Sequence, residues 1–365
     1  MRPALAWCLL LAASCSSESG GAPPTATKQA PVASTRTVAL LTTTPGSRET
    51  GFVLQPLGAP AAASPVASFT HPPYAVVHGA VLPRTHSVVV VADMEQPRDP
   101  SWGAWLFRLE SGGAPQKLVD RVYHATRPLV LDDGRVFVQR GRAGPAPTPE
   151  QAKAGELRSD DLEIDEVDPA TGSARQVYSW QGYITYLAGA LDNELLVYRV
   201  AFHDADLVAI DTTSGALRVL APDIPAFARD FSVDEQARTL LYANREPAGW
   251  VVERLDIATG ARTRLAVSPR MTLVPHVWPG AGVVLNPAGA PGLTRVMGGG
   301  AAVARPFGAG IDQLRTFSAD QKWALVSHQR PGSVPQPFAL DTATGQTESI
   351  AVAPGTRADI AGFLK

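Results

Sequence analysis

Short runs in which apolar and polar residues alternate follow one another from about residue 37 to the C-terminus. Alternation with a period of two is typical of a β-strand that buries one face. Residues 207–210 form a strand-like run that is apolar throughout, residues 217–220 form a second run interrupted by one arginine, and six residues that include a turn phrase separate the two. Because turn-forming residues lie between the other runs in the same way, the pattern predicts an all-β chain.

One of these turns recurs as a five-residue phrase, Asp-x-x-(Thr/Ser)-Gly. It begins at Asp168, Asp211, Asp256 and Asp341, so successive copies lie 43, 45 and 85 residues apart, and the last step is about twice the others. The aspartate can cap a turn through its side chain, and the glycine supplies the positive φ of a bulged hairpin. A repeat period in the forties is typical of the four-stranded blades of a β-propeller.

Weaker copies of the same hairpin bring the number of hairpins to seven. They lie at residues 54–58, 109–113 and 296–300. A second landmark, a turn before an apolar strand, reads Phe-Ser-Ala-Asp-Gln-Lys at residues 317–322 and has counterparts at 130–135 and 231–234. In this turn the chain resembles the TolB-like propeller repeat, Phe-Ser-Pro-Asp-Gly-Lys before an apolar strand, although no copy here keeps the proline.

The resemblance covers residues 37–365 and implies a seven-bladed β-propeller of four-stranded antiparallel blades. At most two strands, at residues 37–44 and 51–57, precede the first hairpin, whereas residues 358–364 resemble an inner strand with no hairpin after it. We therefore expect the C-terminal strand to pair with the N-terminal blade as its innermost strand. A ring closed in this way has no free sheet edge at its seam.

The N-terminus has the features of an export signal. Arg2 precedes an apolar run at residues 4–13 that is too short to span a bilayer as a helix but suits a signal peptide. The run ends in Leu-Ala-Ala-Ser-Cys at residues 11–15, which resembles the lipobox of bacterial lipoproteins. We predict a signal peptide at residues 1–14 and lipidation of Cys15; the alternative is an ordinary signal peptide cut after Ser14, which would leave a freely secreted protein.

Cysteine usage favours the lipidated form. Cys8 would leave with the signal peptide, so Cys15 would be the one cysteine of the exported chain, with no disulfide partner. Ser16 is not the aspartate of the inner-membrane sorting signal, and by that resemblance the anchor lies in the outer membrane, facing the periplasm or the cell surface. Residues 15–36 are rich in Ser, Gly, Pro, Ala and Thr and predict a flexible tether to the propeller.

Charge and motif content exclude several function classes. The formal net charge of −2 argues against nucleic-acid binding, which needs a clustered basic face. The chain lacks the sequence signatures of serine hydrolases, zinc peptidases and phosphate-binding loops, and its seven histidines are scattered singly. We therefore predict no catalytic residue, no metal and no cofactor.

The acidic residues 160–168 lack the calcium-loop pattern and are interpreted as an edge strand with a charged outer face.

Alignment of the blades on the turn at residues 317–322 places seven polar side chains near the central axis. They are His78, Arg127, Tyr186, Arg229, His276, Arg315 and Asp359. This set contains one carboxylate and three arginines, which suits an anion or an acidic partner better than a cation. Two interpretations remain open: the residues bind a ligand at a polar mouth, or they satisfy one another and bound water.

The function that the resemblance to TolB implies is non-catalytic. The chain would be a monomeric, envelope-anchored lipoprotein whose propeller binds or scaffolds an envelope protein, or binds a small anionic ligand, and which meets the membrane through its lipid alone. One alternative is a propeller enzyme with lactonase-like hydrolysis or lyase-like elimination at the axis. Another is the non-catalytic remnant of a propeller-bearing peptidase.

Overall fold

A computed structural model describes residues 36–364, apart from gaps at 60, 95–100, 157, 202–204, 226–227, 248, 269–271, 280–281, 288–292, 296–301 and 305–309. The predicted signal peptide, the lipidation site at Cys15 and nearly all of the predicted tether lie outside the described residues. Among the described residues, no helix is long and apolar enough to cross a membrane.

The described chain consists of 28 strands and one short helix. The helix, α1 (Pro149–Lys153), lies between the strands at Val136–Arg142 and Asp160–Val167. The strands, in chain order, are β1 (Thr37–Thr43), β2 (Glu49–Pro56), β3 (Pro65–Thr70), β4 (Val77–Val81), β5 (Ser87–Asp93), β6 (Ala104–Glu110), β7 (Gln116–Val122), β8 (Leu129–Val130), β9 (Val136–Arg142), β10 (Asp160–Val167), β11 (Ala174–Gly182), β12 (Ile184–Leu191), β13 (Glu194–Val200), β14 (Ala205–Asp211), β15 (Leu217–Ile224), β16 (Arg229–Asp234), β17 (Thr239–Glu246), β18 (Gly249–Asp256), β19 (Arg262–Ser268), β20 (Thr272–Trp278), β21 (Gly282–Pro287), β22 (Leu293–Arg295), β23 (Ala302–Ala304), β24 (Ile311–Phe317), β25 (Trp323–Gln329), β26 (Gln336–Asp341), β27 (Thr347–Ser349) and β28 (Arg357–Phe363).

These strands form five four-stranded antiparallel sheets and one eight-stranded sheet. The four-stranded sheets are β28-β1-β2-β3, β12 to β15, β16 to β19, β20 to β23 and β24 to β27. The eight-stranded sheet contains β4 to β7 and β8 to β11, and the two groups join where Val122 of β7 pairs with Arg140 of β9. The fold is therefore an all-β propeller of four-stranded antiparallel blades, as predicted.

The two ends of the chain close the ring together. β28 pairs antiparallel with β1, from Val38 opposite Phe363 to Thr43 opposite Arg357. The same strand contacts β4 on one side and β24 on the other. The contacts continue through β8, β9, β12, β16 and β20, so the inner strands follow one another around a ring. The prediction that the C-terminal strand becomes the innermost strand of the first sheet is confirmed.

Apolar side chains fill the spaces between neighbouring sheets. Strand β5 shows why its sequence has four consecutive valines: Val88 and Val90 pack with residues of the first sheet, whereas Val89 and Val91 pack toward β9. Successive side chains of a strand point to opposite faces. A strand with sheets on both sides therefore needs apolar residues at every position, and the simple alternation is lost there.

The repeated hairpins have the geometry that their sequence predicts. The glycines of the four phrases, Gly172, Gly215, Gly260 and Gly345, have φ between 72° and 76°. In the second copy, the carboxylate of Asp211 accepts hydrogen bonds from the backbone N–H groups of residues 213 and 214, at 3.0 and 2.7 Å. These aspartates are turn residues, and the bonds hold their pKa values below the usual range.

The interpretation of the acidic run as an edge strand is wrong. The run forms β10, which pairs with β9 on one side and β11 on the other. Its carboxylates are neutralised by arginines of neighbouring segments: Glu163 pairs with Arg121 at 3.3 Å, and Asp160 pairs with Arg158 at 2.6 Å. Carboxylates with such partners are compatible with an interior strand, whereas unpaired ones would favour the edge.

Most inner strands carry an irregularity near their middle. The pairing register shifts in β12, β16, β20, β24 and β28. A bulge leaves a residue out of the ladder and turns its side chain in a new direction. In β24 the residue left out is Arg315, and in β16 the shift includes Asp230. The bulges therefore decide which side chains face one another at the axis.

Candidate binding site at the propeller axis

The structure places the seven predicted axial residues on or next to inner strands. His78 lies on β4, Tyr186 on β12, Arg229 on β16, His276 on β20, Arg315 on β24 and Asp359 on β28, while Arg127 comes two residues before β8. Hydrogen bonds and electrostatic interactions connect them into one group, which we call the axial cluster together with Asp230 and Arg357.

Asp359 is the most highly connected carboxylate of the axial cluster. It accepts a hydrogen bond from Arg127 Nη2 at 2.7 Å and another from the backbone N–H of Gly79 at 3.1 Å, and His78 Nδ1 lies 3.7 Å away. Burial alone would raise the pKa of Asp359, but the charges of Arg127, His78 and Arg315 outweigh it and hold the pKa well below the usual range. Asp359 is therefore ionised and already satisfied.

Arg127 joins three segments of the chain at this point. Besides its bond to Asp359, it donates to the backbone carbonyl of Ile360 at 3.0 Å and to that of Gly79. Its carbonyl acceptors thus belong to β28 and β4, whereas Arg127 itself precedes β8. A guanidinium group, with five donors in a planar fork, can hold several acceptors at once.

Asp230 is a second carboxylate of the axial cluster, and sequence reasoning missed it. It lies at the β16 bulge with φ of 57°, a left-handed conformation that aspartate tolerates better than most residues. Arg229 Nε donates to it at 2.9 Å. Burial raises the pKa of Asp230, although the charges of Arg229 and Arg315 oppose this effect. Alignment of the blades on the turn at residues 317–322 predicted Arg229, but the sequence pattern contains no signal for the bulge at Asp230.

Arg315 and Arg357 supply positive charge that no carboxylate cancels directly. Both are exposed, and within the described ranges neither forms a hydrogen bond or ion pair through its side chain. The pKa of Arg315 is lowered, first by loss of solvent and then by the charges of Arg127 and Arg357, with Asp359 and Asp230 acting in the opposite direction. Because Arg315 keeps contact with solvent and an arginine titrates far above neutral pH, it is charged at pH 7.

Arg357 was also missed by sequence reasoning, but a signal for it existed. It precedes Asp359 by two residues on the same strand, and residues two apart in a strand share a face. The assignment of Asp359 to the axis therefore implies that Arg357 lies there as well. In total, four guanidinium groups of the axial cluster face two carboxylates: Arg127, Arg229, Arg315 and Arg357 against Asp230 and Asp359.

The remaining predicted residues are packed rather than open. Burial raises the pKa of Tyr186 far above its usual value, and its ring stacks on Tyr198 with centroids 6.2 Å apart. Burial lowers the pKa of His276 to about 4, and the charge of Arg315 adds to this effect, so His276 is neutral at pH 7. Its Nδ1 lies 3.5 Å from Ser232 Oγ.

The charge balance of the axial cluster suits an anion. In the described part of the chain, no three His, Cys, Asp or Glu side chains come together as metal ligands. The contact between Ser232 and His276 is longer than the 2.6–3.2 Å at which a base activates a hydroxyl. A cationic cluster with two uncompensated guanidinium groups can instead hold a carboxylate or another oxyanion through charge-assisted hydrogen bonds.

Comparison by sequence finds no matching protein-family model and no matching curated protein. Comparison by structure finds β-propeller proteins. TolB from Acinetobacter baumannii is 12% identical, with a TM-score of 0.48 over 90% of this chain and 66% of TolB. A puromycin-hydrolyzing peptidase from Mycobacterium tuberculosis is 14% identical, with a TM-score of 0.51 over 88% of this chain and 55% of the peptidase. A prolyl endopeptidase is 14% identical, with a TM-score of 0.55 over 90% of this chain and 51% of the enzyme.

The chain thus spans about two thirds of that TolB structure and about half of the two peptidases. Likeness at such low identity concerns the fold and carries no activity from one protein to another. The likeness to the two peptidase structures, whose TM-scores exceed 0.5, agrees with the predicted propeller fold.

Proposed function

We propose that this protein is an envelope-anchored lipoprotein whose propeller binds an acidic segment of a partner protein at the axial cluster, without catalysis. The observation that carries the proposal is the pair of exposed guanidinium groups of Arg315 and Arg357 beside an aspartate, Asp359, that Arg127 already neutralises. A small anionic ligand has the same charge and is the alternative occupant.

The charge balance of the axial cluster supports an anion as the missing component. Two arginines are committed: Arg127 holds Asp359, and Arg229 holds Asp230. The other two, Arg315 and Arg357, carry like charges: loss of solvent lowers the pKa of Arg315 first, and the charges of Arg127 and Arg357 lower it further. An incoming carboxylate would relieve this repulsion, and clustered charge of one sign at a concave surface also accelerates the approach of a ligand of opposite sign.

We infer that the propeller has seven blades. The eight-stranded sheet contains two sets of four strands, β4 to β7 and β8 to β11, and a single residue pair between β7 and β9 joins them. Division of that sheet into two blades gives one blade for each of the seven hairpins in the sequence. In six of these blades the innermost strand contributes a residue to the axial cluster. In the blade that begins with β8, the contributing residue is Arg127, which lies just before that strand.

The lipid anchor belongs to the same proposal. Its support is the lipobox-like sequence at residues 11–15 and the lone cysteine of the exported chain. We expect the wild-type protein to fractionate with the outer membrane and Cys15→Ala to lose the acyl chains and that location. Mass spectrometry of the N-terminal peptide measures the modification directly. An unmodified Cys15, or a mature chain that begins elsewhere, would contradict the anchor and favour the freely secreted form.

The enzymatic alternative, lactonase-like hydrolysis or lyase-like elimination at the axis, requires a set of metal ligands or an activated base. No specific contact in the described axial cluster favours it, since both carboxylates are held by arginines and His276 is a weak base. We therefore do not advance it as a second function.

Capture of a partner from envelope extract tests the binding function. The full-length chain and its Arg315→Gln/Arg357→Gln variant are compared with the matched control Arg84→Gln/Arg330→Gln, which removes the same charge from exposed positions that are not among the axial residues. We expect the wild type and the control to retain the same protein and the axial variant to retain about tenfold less or worse. Rising salt should weaken the capture, because the contact is electrostatic. Equal capture by both double variants would refute an axial site.

A further inference from the structure

A cavity of about 290 Å³ lies beside the axial cluster. It is bordered by the ends of β1 and β28 that meet at the seam, by the turn that follows β1, and by the segment that leads into β4. Two of its lining residues, Arg357 and Asp359, belong to the axial cluster, whereas Leu41, Ala75 and Val77 provide apolar surface. The volume is at the lower end of the range for small-molecule pockets and fits one residue-sized group.

Tyr74, which borders this cavity, has an unusual backbone conformation and an exposed side chain. Its φ is 63°, a left-handed conformation that bulky residues rarely adopt, and 84% of its surface is exposed. A methyl group at Gly46 would lie 3.8 Å from the Tyr74 hydroxyl oxygen, so the side chain reaches over the turn that borders the cavity. In the described chain, no hydrogen bond or ring contact holds this side chain. Residues held in such sparsely populated backbone conformations are concentrated at functional sites.

The wall that carries Tyr74 is held in place by a chain of hydrogen bonds. His71 Nδ1 donates to the carbonyl of Pro72 at 2.7 Å, which leaves Nε2 to accept from the hydroxyl of Thr50 at 2.9 Å. The Thr50 hydroxyl lies 2.5 Å from that of Thr43, a lining residue of the cavity. These bonds connect β1, β2 and the segment before β4, so the cavity has a fixed shape before any ligand arrives.

The electrostatics of the cavity favour a negative group. Asp359 is neutralised by Arg127, and its second oxygen accepts from Gly79. Arg357 is therefore the unbalanced charge of the cavity. One guanidinium, an apolar floor and an exposed phenol ring form an amphipathic site: the guanidinium suits a carboxylate, and the floor and ring suit a flat or branched apolar group.

We propose that this cavity takes the C-terminal residue of the acidic partner, a residue with a large apolar side chain and a free carboxylate. The carboxylate pairs with Arg357, and the side chain lies against Leu41 and Val77 under the ring of Tyr74. The proposal rests on the proposed function, because it names the group that the partner brings to the axial cluster.

Calorimetric titration of the full-length protein with three small probes tests the proposal. N-acetylphenylalanine carries both the ring and the charge, N-acetylphenylalaninamide carries the ring alone, and N-acetylglycine carries the charge alone. We expect N-acetylphenylalanine to bind at least about tenfold more tightly than either of the others. Burial of one aromatic ring accounts for a factor of this size against N-acetylglycine, and a charge-assisted hydrogen bond to Arg357 accounts for it against the amide.

Two variants assign the effect to the cavity. Arg357→Gln should bind the acid and the amide equally, and Tyr74→Gly should lose most of the preference for the ring while keeping the preference for charge. Glycine tolerates the positive φ at residue 74, so Tyr74→Gly is not expected to unfold the protein. Arg84→Gln is the matched control: Arg84 is also exposed and has φ of 60°, but it follows β4 at the other end of the strand.

The outcomes separate this proposal from the proposed function. Equal binding of N-acetylphenylalanine and N-acetylglycine overturns the cavity proposal, while loss of partner capture in the Arg315→Gln/Arg357→Gln variant would still support an axial site for an acidic partner. Absence of binding of all three probes at millimolar concentrations also overturns it. A ring preference that Tyr74→Gly does not change places the site elsewhere and overturns it as well.

Discussion

At the scale of single residues, the number of partners decides the state of each axial group. Asp359 and Asp230 both lie on inner strands beside arginines, yet their pKa values shift in opposite directions. Asp359 has Arg127, His78 and a backbone N–H as partners, which outweigh the effect of burial. Asp230 has a single direct partner in Arg229, and burial prevails. A carboxylate near an arginine is therefore not always a stronger acid.

His276 makes the stability of the protein depend on pH. Its pKa is about 4 in the folded chain and about 6.5 when unfolded, because the buried ring resists protonation. Below pH 6.5 the unfolded chain therefore binds a proton that the folded chain does not. We expect the stabilising effect to be complete above about pH 6.5 and to be lost as the pH falls towards 4. Since the ring keeps some solvent contact, the loss should be about 1–2 kcal/mol, measured by urea unfolding across this range.

The matched variant for this prediction is His276→Gln. It removes the titrating ring and should show a shallower fall in the free energy of unfolding between pH 6.5 and 4 than the wild type. The difference between the two proteins isolates the ring, because the aspartates of the axial cluster are present in both. The same slope in both proteins would show that His276 does not resist protonation.

At the scale of strands, alternation and turn chemistry predicted where each inner strand lies but not where it bulges. The turn at residues 317–322 aligned the blades well enough to place His78, Arg315 and Asp359 on inner strands. A bulge depends on backbone geometry and on the neighbouring sheet, and a residue that leaves the ladder has no signature in a period of two. Asp230 was missed for this reason.

The sequence also could not show which axial residues are open. Tyr186 and Arg315 occupy inner strands in the same way, but Tyr186 stacks on Tyr198 whereas Arg315 faces solvent. The difference comes from contacts between blades that are distant in sequence. The interior position of β10 could not be predicted for the same reason. The arginines that neutralise its carboxylates, such as Arg121, lie on other segments of the chain.

At the scale of the whole molecule, the axial cluster and the ring closure share the same residues. Arg127 binds Asp359 and the carbonyl of Ile360 on the C-terminal strand, and it also binds the carbonyl of Gly79 on β4. The seam where the two ends of the chain meet is thus next to the candidate binding site. Ligand binding at Arg357, the first residue of the closing strand, should therefore also stabilise the closed ring.

Gly79 is the tightest point of this seam and supplies a test of it. A methyl group there would lie 2.6 Å from Leu41 Cδ1 of β1 and 3.3 Å from Ala361 Cβ of β28, so one of these neighbours must move. We expect Gly79→Ala to lower the free energy of unfolding by about 1–3 kcal/mol, measured by urea unfolding.

Gly113→Ala is the control, since its methyl group would meet Glu110 at an ordinary 3.5 Å. Additional replacement of Leu41 by Val should restore part of the loss, because it removes the side-chain end in the way. Equal stability of the two alanine variants would mean that β1, β4 and β28 are not packed closely at the seam, and that the ring is not closed there as the pairing of β28 with β1 requires.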